Sequence, residues 1–231
     1  MGRRMGGAPK QFRLLDGRPA LCWAARPLLE ALAGPLVVVL PAAQLEEGTA
    51  LLAAHLGAAA GRDFKARIQV AAGGVRRQDS VRAGLAAVKE TPTVLIHDAS
   101  RPFASTGLVE RVARKAAEGC AVVPVVPIHD TLKEVDGPWI VRTHDRSRFM
   151  AAQTPQGFPV EVIRRVHVDA GGIEATDDAA LCEAAGVPVA WIPGEPLNRK
   201  LTGTDDWAWA EEMVAAGRVG WTRPGRADRA P

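Results

Sequence analysis

Residues 93–102, Thr93-Val94-Leu95-Ile96-His97-Asp98-Ala99-Ser100-Arg101-Pro102, decide the fold class. Thr93–Ile96 has the length and β-branched content of a buried strand, and the polar run from His97 to Pro102 ends it. Ser105 then suits a helix N-cap for the apolar-periodic stretch to Ala117, with Gly119 as terminator. Strand, polar turn and helix in that order form the repeating unit of a wound α/β sheet.

The same rhythm extends in both directions. Strands are expected at Leu36–Leu40, Arg67–Ala71, Ala121–Val126 and Val189–Ile192. Helical spacing runs through Leu21–Leu32, Ser80–Val88, Val160–Val168, Asp177–Ala185 and Asp205–Ala215. Thr176 and Thr204, each followed by two Asp, read as helix starts with acidic first turns. The expectation is a doubly wound, mostly parallel α/β sheet in one domain spanning 1–216. Residues 129–148 break the pattern. Thr131–Val135 and Trp139–Thr143 flank Asp136-Gly137-Pro138, a hairpin turn, so a β-hairpin arm should project from the sheet and pack on a partner subunit.

Composition sets outer limits. A chain of 231 residues with 47% apolar and 24% charged residues is an ordinary globular domain. No apolar run approaches the roughly 20 residues of a membrane span, and the basic N-terminus leads into no signal-peptide core, so the expected setting is the cytoplasm, away from membranes. Cys22, Cys120 and Cys182 form no Cys-x-x-Cys pair, and the five His are equally scattered. Buried free thiols are therefore expected rather than a disulfide framework or a zinc site. The formal charge is +3. The basic tail over 217–231 reads as a solvated end, not a nucleic-acid site, because only Trp221 stands among its cations.

Several polar clusters fall where open α/β sheets bind ligands, at the carboxyl ends of strands. Gly73-Gly74-Val75-Arg76-Arg77-Gln78-Asp79-Ser80 joins a strand to a helix. It could seat an anion at the helix N-terminus, or be an ordinary turn capped by Asp79 or Ser80. Asp98 could hold a divalent cation or its waters near phosphates, or pair internally with Arg101; its position favours the first. Gly2-Arg3-Arg4-Met5-Gly6-Gly7-Ala8-Pro9-Lys10 combines glycines with cations, as a phosphate cradle or a basic terminus does.

Taken in order, these clusters resemble the 2-C-methyl-D-erythritol 4-phosphate cytidylyltransferases of the non-mevalonate isoprenoid pathway. The shared elements are Arg-Met-Gly…Pro-Lys-Gln-Phe from Arg4, Gly-Gly-x-x-Arg-x-x-Ser-Val from Gly73, His-Asp-Ala-x-Arg-Pro from His97 and Asp-Thr-Leu-Lys from Asp130. Asp145-Arg146, Gln-Thr-Pro-Gln-x-Phe from Gln153, Thr-Asp-Asp-Ala from Thr176 and Asn-x-Lys-x-Thr from Asn198 follow in register. The resemblance implies a Rossmann-like nucleotidyltransferase fold that joins a sugar-alcohol phosphate to CTP with Mg²⁺ and releases pyrophosphate.

It also implies residue roles. Arg4 and Lys10 would stabilise the pentavalent phosphorus, while Arg146 and Lys200 hold the attacking phosphate. Gly2, Gly74, Val75, Ser80 and Asp98 would contact CTP. Asp98, Arg101, Thr131, Thr154 and Thr176 would line the substrate pocket, with Asp98 near the metal. The arm would cross to a second copy, so Thr131 and Arg146 would serve the partner's site in a homodimer.

Departures accompany the matches. The family opens with a strand leading into Ala-Ala-Gly-x-Gly, of which only Gly2 stands here. The native chain is therefore expected to start about a dozen residues earlier, enough for a strand and its turn. Ser100 replaces a usual Ala, Phe149-Met150 stands where Trp is frequent, and Arg199 stands where Ile is usual. The rival readings are a ribitol-5-phosphate-type cytidylyltransferase and a truncated, inactive nucleotide-binding module. A fusion with the pathway's downstream cyclase is not expected from a chain of this length.

Overall fold

The computed structural model describes residues 10–60, 67–89, 91–171 and 174–221. A two-residue turn at Asp16-Gly17, with φ of 48° and 70°, joins β1 (Leu14–Leu15) to β2 (Arg18–Pro19). Positive φ at both centres suits Asp-Gly and matches the twist of a hairpin. Helix α1 (Ala20–Ala31) follows, then β3 (Leu36–Leu40), α2 (Leu45–Ala60), β4 (Ile68–Ala72), α3 (Arg77–Ala87) and β5 (Thr93–Ile96). Next come α4 (Thr106–Ala117), β6 (Ala121–Pro127), β7 (Leu132–Asp136), β8 (Trp139–His144), β9 (Met150–Ala152) and β10 (Gln156–Pro159). Helices α5 (Val160–Asp169) and α6 (Asp178–Ala184), strand β11 (Val189–Pro193) and helix α7 (Thr204–Ala215) complete the order.

The expected strands and helices stand within a few residues of their sequence positions. Ser105 caps α4 as expected, its hydroxyl accepting from the Leu108 amide at 3.0 Å. One expected helix start is shifted and the other stands as read. Asp177, not Thr176, caps α6 by accepting from the Ala180 amide, and α7 begins on Thr204 itself, with Asp206 accepting the Gly203 amide. Helix α2 has no counterpart in the sequence expectation. After Glu46, Glu47 and Thr49 its Leu, Ala and Gly residues are broken only by His55, so no distinct apolar stripe can be read.

The main sheet runs β11-β6-β10-β5, with β9 added to one end of β6. Strand β10 is antiparallel to both β5 and β6, whereas β11 is parallel to β6. β10 inserts reversed between strands that share one direction, which a short Gln-Gly-Phe-Pro segment does not announce. Gly157 lets it fit, because a Cβ there would lie 2.8 Å from Val112 Cγ1 and 3.0 Å from Ala116 Cβ of α4.

Strands β3 and β4 form a separate parallel pair. Among the described residues β3 pairs only with β4, and β5 only with β10. Between β3 and β5 runs an apolar slot of about 600 Å³, flanked by Val37, Val39, Val81, Leu85, Val94 and Ile96. One buried cluster, around Leu52 and Leu56, holds α1, α2 and the β3–β4 pair together; another, around Phe158 and Ile163, sits under the main sheet.

The expected arm is present. β7 and β8 pair antiparallel through Gly137-Pro138, and Gly137 takes φ +55°. Val135, Trp139, Ile140 and Val141 of the arm are exposed.

Candidate active site

A cleft of about 290 Å³ opens beside the carboxyl end of β5 and the start of α3, and it gathers Lys10, Arg77, Asp98 and Lys200. These residues come from distant parts of the chain, and each is held by a different device.

Asp98 follows β5, and its side chain is 14% exposed. Lys200 Nζ donates to its Oδ2 at 2.7 Å, and Arg77 Nε donates to its Oδ1 at 3.3 Å. Burial alone would raise the Asp98 carboxyl; Arg77 and then Lys200 outweigh it and hold the pKa at about 2. The main-chain amide of Asp98 donates to Thr154 Oγ1 at 3.0 Å.

Thr154 is buried, and its hydroxyl also meets His97 Nδ1 at 2.9 Å. The other ring nitrogen, Nε2, faces the Arg101 carbonyl at 3.1 Å, which can only accept. Nε2 therefore carries the proton and Nδ1 accepts from Thr154. Burial pushes the His97 pKa down to about 4, so this neutral tautomer persists at physiological pH.

Lys200 is placed by a polar brace between two motifs. Asn198 Nδ2 donates to the Thr154 carbonyl at 2.8 Å, and Gln153 Nε2 donates to the Glu195 carbonyl at 2.9 Å. The Leu201 amide donates to the Ser100 carbonyl at 2.8 Å, pinning the Lys200 loop onto the turn after β5. Gln153 and Asn198 are buried, so these bonds act away from water. Arg101 belongs to the same brace. Its Nη1 and Nη2 donate to the Asn198 and Ala152 carbonyls at 2.9 and 3.0 Å. The internal partners of Asp98 are thus Arg77 and Lys200.

The loop after β4 is set by its glycines. A Cβ on Gly74 would meet Asp79 Cβ at 2.3 Å, so the backbone approaches α3 more closely than a larger residue permits. The Gly74 amide donates to Ser80 Oγ at 3.2 Å, and the Arg76 amide donates to Asp79 Oδ2 at 3.2 Å. Asp79 and Ser80 both serve the turn, and the exposed Val75 stands at its apex.

Lys10 begins a short 3-10 turn at Lys10–Phe12, and its ammonium donates to the Thr202 carbonyl, next in sequence to Leu201 of the cleft lining. Thr131 and Arg146 lie at the base of the arm, where Arg146 donates to the His129 carbonyl, and neither lines this cleft. Thr176 lies just before α6 and does not line the cleft either. Gly2 and Arg4 lie outside the described residues.

Sequence reading does not single out Arg77 as a site residue. Its motif position, the Arg of Gly-Gly-x-x-Arg, is the available signal. Its ion-pair partners, Asp98 and Asp178, are 21 and 101 positions away, so no local pattern reveals them.

For a metal, Asp98 is the carboxylate that lines the cleft. Among the described residues no cluster of three or more His, Cys, Asp or Glu side chains could hold an ion by itself. That donor set fits Mg²⁺, which keeps most of its waters and takes one or two carboxylates plus substrate phosphates. It does not fit a permanently bound structural ion.

The family model described as IspD, 2-C-methyl-D-erythritol 4-phosphate cytidylyltransferase, matches residues 1–216. A bifunctional IspD/IspF enzyme of Nitratidesulfovibrio vulgaris is 42% identical over 222 residues, covering 92% of this chain and 55% of that enzyme. The chain thus spans little more than half the length of this curated relative. The crystal structure of 2-C-methyl-D-erythritol 4-phosphate cytidylyltransferase from Thermus thermophilus superposes with a TM-score of 0.73 at 37% identity, covering 92% of this chain and 96% of that one. The 4-diphosphocytidyl-2C-methyl-D-erythritol synthase of Anaerococcus prevotii shares the fold, with a TM-score of 0.78 at 24% identity over 89% of this chain and 92% of that one.

Proposed function

Because the chain belongs to the 2-C-methyl-D-erythritol 4-phosphate cytidylyltransferase family, we propose that it transfers CMP from CTP to 2-C-methyl-D-erythritol 4-phosphate, giving the cytidine diphospho-sugar alcohol and pyrophosphate. The observation that carries this reading is the convergence of Lys10, Arg77 and Lys200 around Asp98 in one cleft.

The chemistry needs cations more than a general base. The substrate phosphate is already a nucleophile at neutral pH. One of its oxygens forms a bond to the α-phosphorus of CTP as the bond to the β-phosphate oxygen breaks, and pyrophosphate leaves with the electron pair. The barrier is repulsion between two polyanions, lowered by fixed positive charge and in-line placement. Lys10 stabilises charge on the phosphorus, with Arg4 in the same role from outside the described residues. Lys200 turns from Asp98 toward the incoming phosphate. Gly74, Val75 and Ser80 receive cytosine and ribose through the close-packed loop, and Arg101 and Thr154 keep the Asp98 turn and the Lys200 loop in register. Mg²⁺ carried on the triphosphate would be held beside Asp98 and would neutralise phosphate charge.

The arm supports a homodimer. Its exposed apolar residues need cover, and Thr131 and Arg146 stand away from the cleft of their own chain. Both then serve the cleft of a second copy, Arg146 on its phosphate, with Thr176 at the rim. The free cysteines Cys22, Cys120 and Cys182 support a cytoplasmic setting. Among the described residues no helix is long and apolar enough to cross a membrane.

The test is ³¹P NMR of the purified protein with CTP and Mg²⁺, offered 2-C-methyl-D-erythritol 4-phosphate or ribitol 5-phosphate. The expected outcome is a diphosphate doublet and free pyrophosphate with the first substrate. Turnover of ribitol 5-phosphate alone, or of neither, overturns the reading.

A further inference from the structure

Arg77 occupies an unusual place. It stands in the first turn of α3, yet its guanidinium spans two carboxylates from other elements. Nε donates to Asp98 Oδ1 after β5, and Nη2 donates to Asp178 Oδ2 at the head of α6, at 2.7 Å. Asp178 is 1% exposed, and its other oxygen meets His167 Nε2 of α5 at 3.1 Å. That carboxylate accepts, so His167 donates from Nε2, while its Nδ1 has no partner among the described residues. The head of α6 is itself fixed to the sheet: Gln156 of β10 donates to Asp177 Oδ2 at 2.7 Å and accepts the Ala179 amide at 3.2 Å. The chain His167–Asp178–Arg77–Asp98 therefore runs without a break from the hydrophobic core to the cleft.

We infer that Arg77 is a positioning residue that sets the orientation of the Asp98 carboxylate, with the buried His167–Asp178 pair fixing Arg77 in turn. The role assigned to Asp98 in catalysis rests on the function proposed above; the positioning chain does not.

The contrast with Lys200 supports this division. Lys200 reaches the opposite oxygen of Asp98 as a single flexible ammonium and is 45% exposed. A rigid fork that satisfies two carboxylates at once cannot swing without abandoning a buried charge, which is costly. Lys200 has no such anchor and is the partner free to exchange. Asp98 is thereby gripped from one side by a fixed cation while its other oxygen is offered to the cleft.

The variants Arg77→Met, Arg77→Lys, Asp178→Asn and Arg77→Met/Asp178→Asn test the chain, with circular dichroism confirming the fold of each. Arg77→Met and Asp178→Asn should each lower kcat about tenfold or more while the KM for CTP moves less than about threefold, a loss confined to the transition state. The double variant should be no slower than Arg77→Met, because Asp178 acts only through Arg77. Arg77→Lys, keeping the charge but not the fork, should not restore kcat. Wild-type kcat in folded Asp178→Asn, or losses that multiply in the double variant, would overturn the inference.

A second readout needs no activity. In ¹⁵N-labelled protein the Arg77 Nε–H should give a sharp, slowly exchanging resonance, assigned by its loss in Arg77→Lys. Asp178→Asn should broaden or erase it, and persistence unchanged in that variant would sink the proposal. If the wild type fails to turn over substrate, the functional reading falls while this spectrum still decides the role of Arg77.

Discussion

Lys200 and His97 show how single residues carry opposite duties in one site. Lys200 is exposed, singly bonded and close to the reacting phosphates in the proposed complex, so its charge does the work. Lys200→Met should lower kcat/KM by at least about 100-fold, as expected when one charge-stabilising donor is removed, with little change in melting temperature. His97 is kept neutral by burial, and its effect falls on stability. Its folded pKa of about 4 lies below the unfolded value of 6.5. Between those values the unfolded chain binds more protons, so stability is complete above pH 6.5 and is lost as pH falls toward 4. The shift corresponds to at most about 3 kcal/mol. Urea denaturation at pH 7 and pH 4.5 should show a smaller difference for His97→Gln than for wild type. Sequence reading named Asp98 and Lys200, which the structure brings together in one cleft, because residue type and motif position mark them. It could not find that Thr154 orients both His97 and Asp98, since that contact spans more than 50 positions.

Helix α4 and strand β10 mark the two ends of legibility at the level of elements. α4 could be read in full: cap, apolar stripe and terminator all lie within the segment. Ser105→Ala removes the bond to the Leu108 amide and a 2.6 Å bond to Glu195. The expected loss is about 1 kcal/mol, a fall of about 2–4 °C in melting temperature for a domain this size. β10 could not be read, because its place between two strands is decided by long-range pairing and by the room Gly157 leaves for α4. Gly157→Ala should cost about 1–3 kcal/mol through overpacking against Val112 and Ala116, measured as a lower urea midpoint. The arm was legible from its turn, since Asp-Gly-Pro between alternating residues has few other uses. If the arm builds the proposed homodimer, Trp139→Ser with Ile140→Ser should shift the protein toward monomer in sedimentation velocity. An unchanged sedimentation coefficient would count against the dimer.

At the scale of the molecule, the slot between β3 and β5 dominates. Edge amides and carbonyls there have no strand partner among the described residues, and unpaired backbone groups in apolar surroundings are costly. The alternating order of strands and helices was plain in the sequence, whereas the division of the sheet was not, because it depends on which edges meet. The slot also separates two cores, one around Leu52 and Leu56 and one around Phe158 and Ile163. Cooperativity of unfolding depends on such cores sharing surface, and among the described residues helices rather than sheet hydrogen bonds link them. The N-terminal half should therefore open as its own foldon, below the free energy of global unfolding. Lys10 reaches the cleft from beside the first core, where Phe12 is buried, whereas Leu85 of the Arg77 helix lies in the second and Arg77 itself is tied to Asp98 and Asp178, so each such opening should withdraw Lys10 while Arg77, Asp98 and Lys200 stay together.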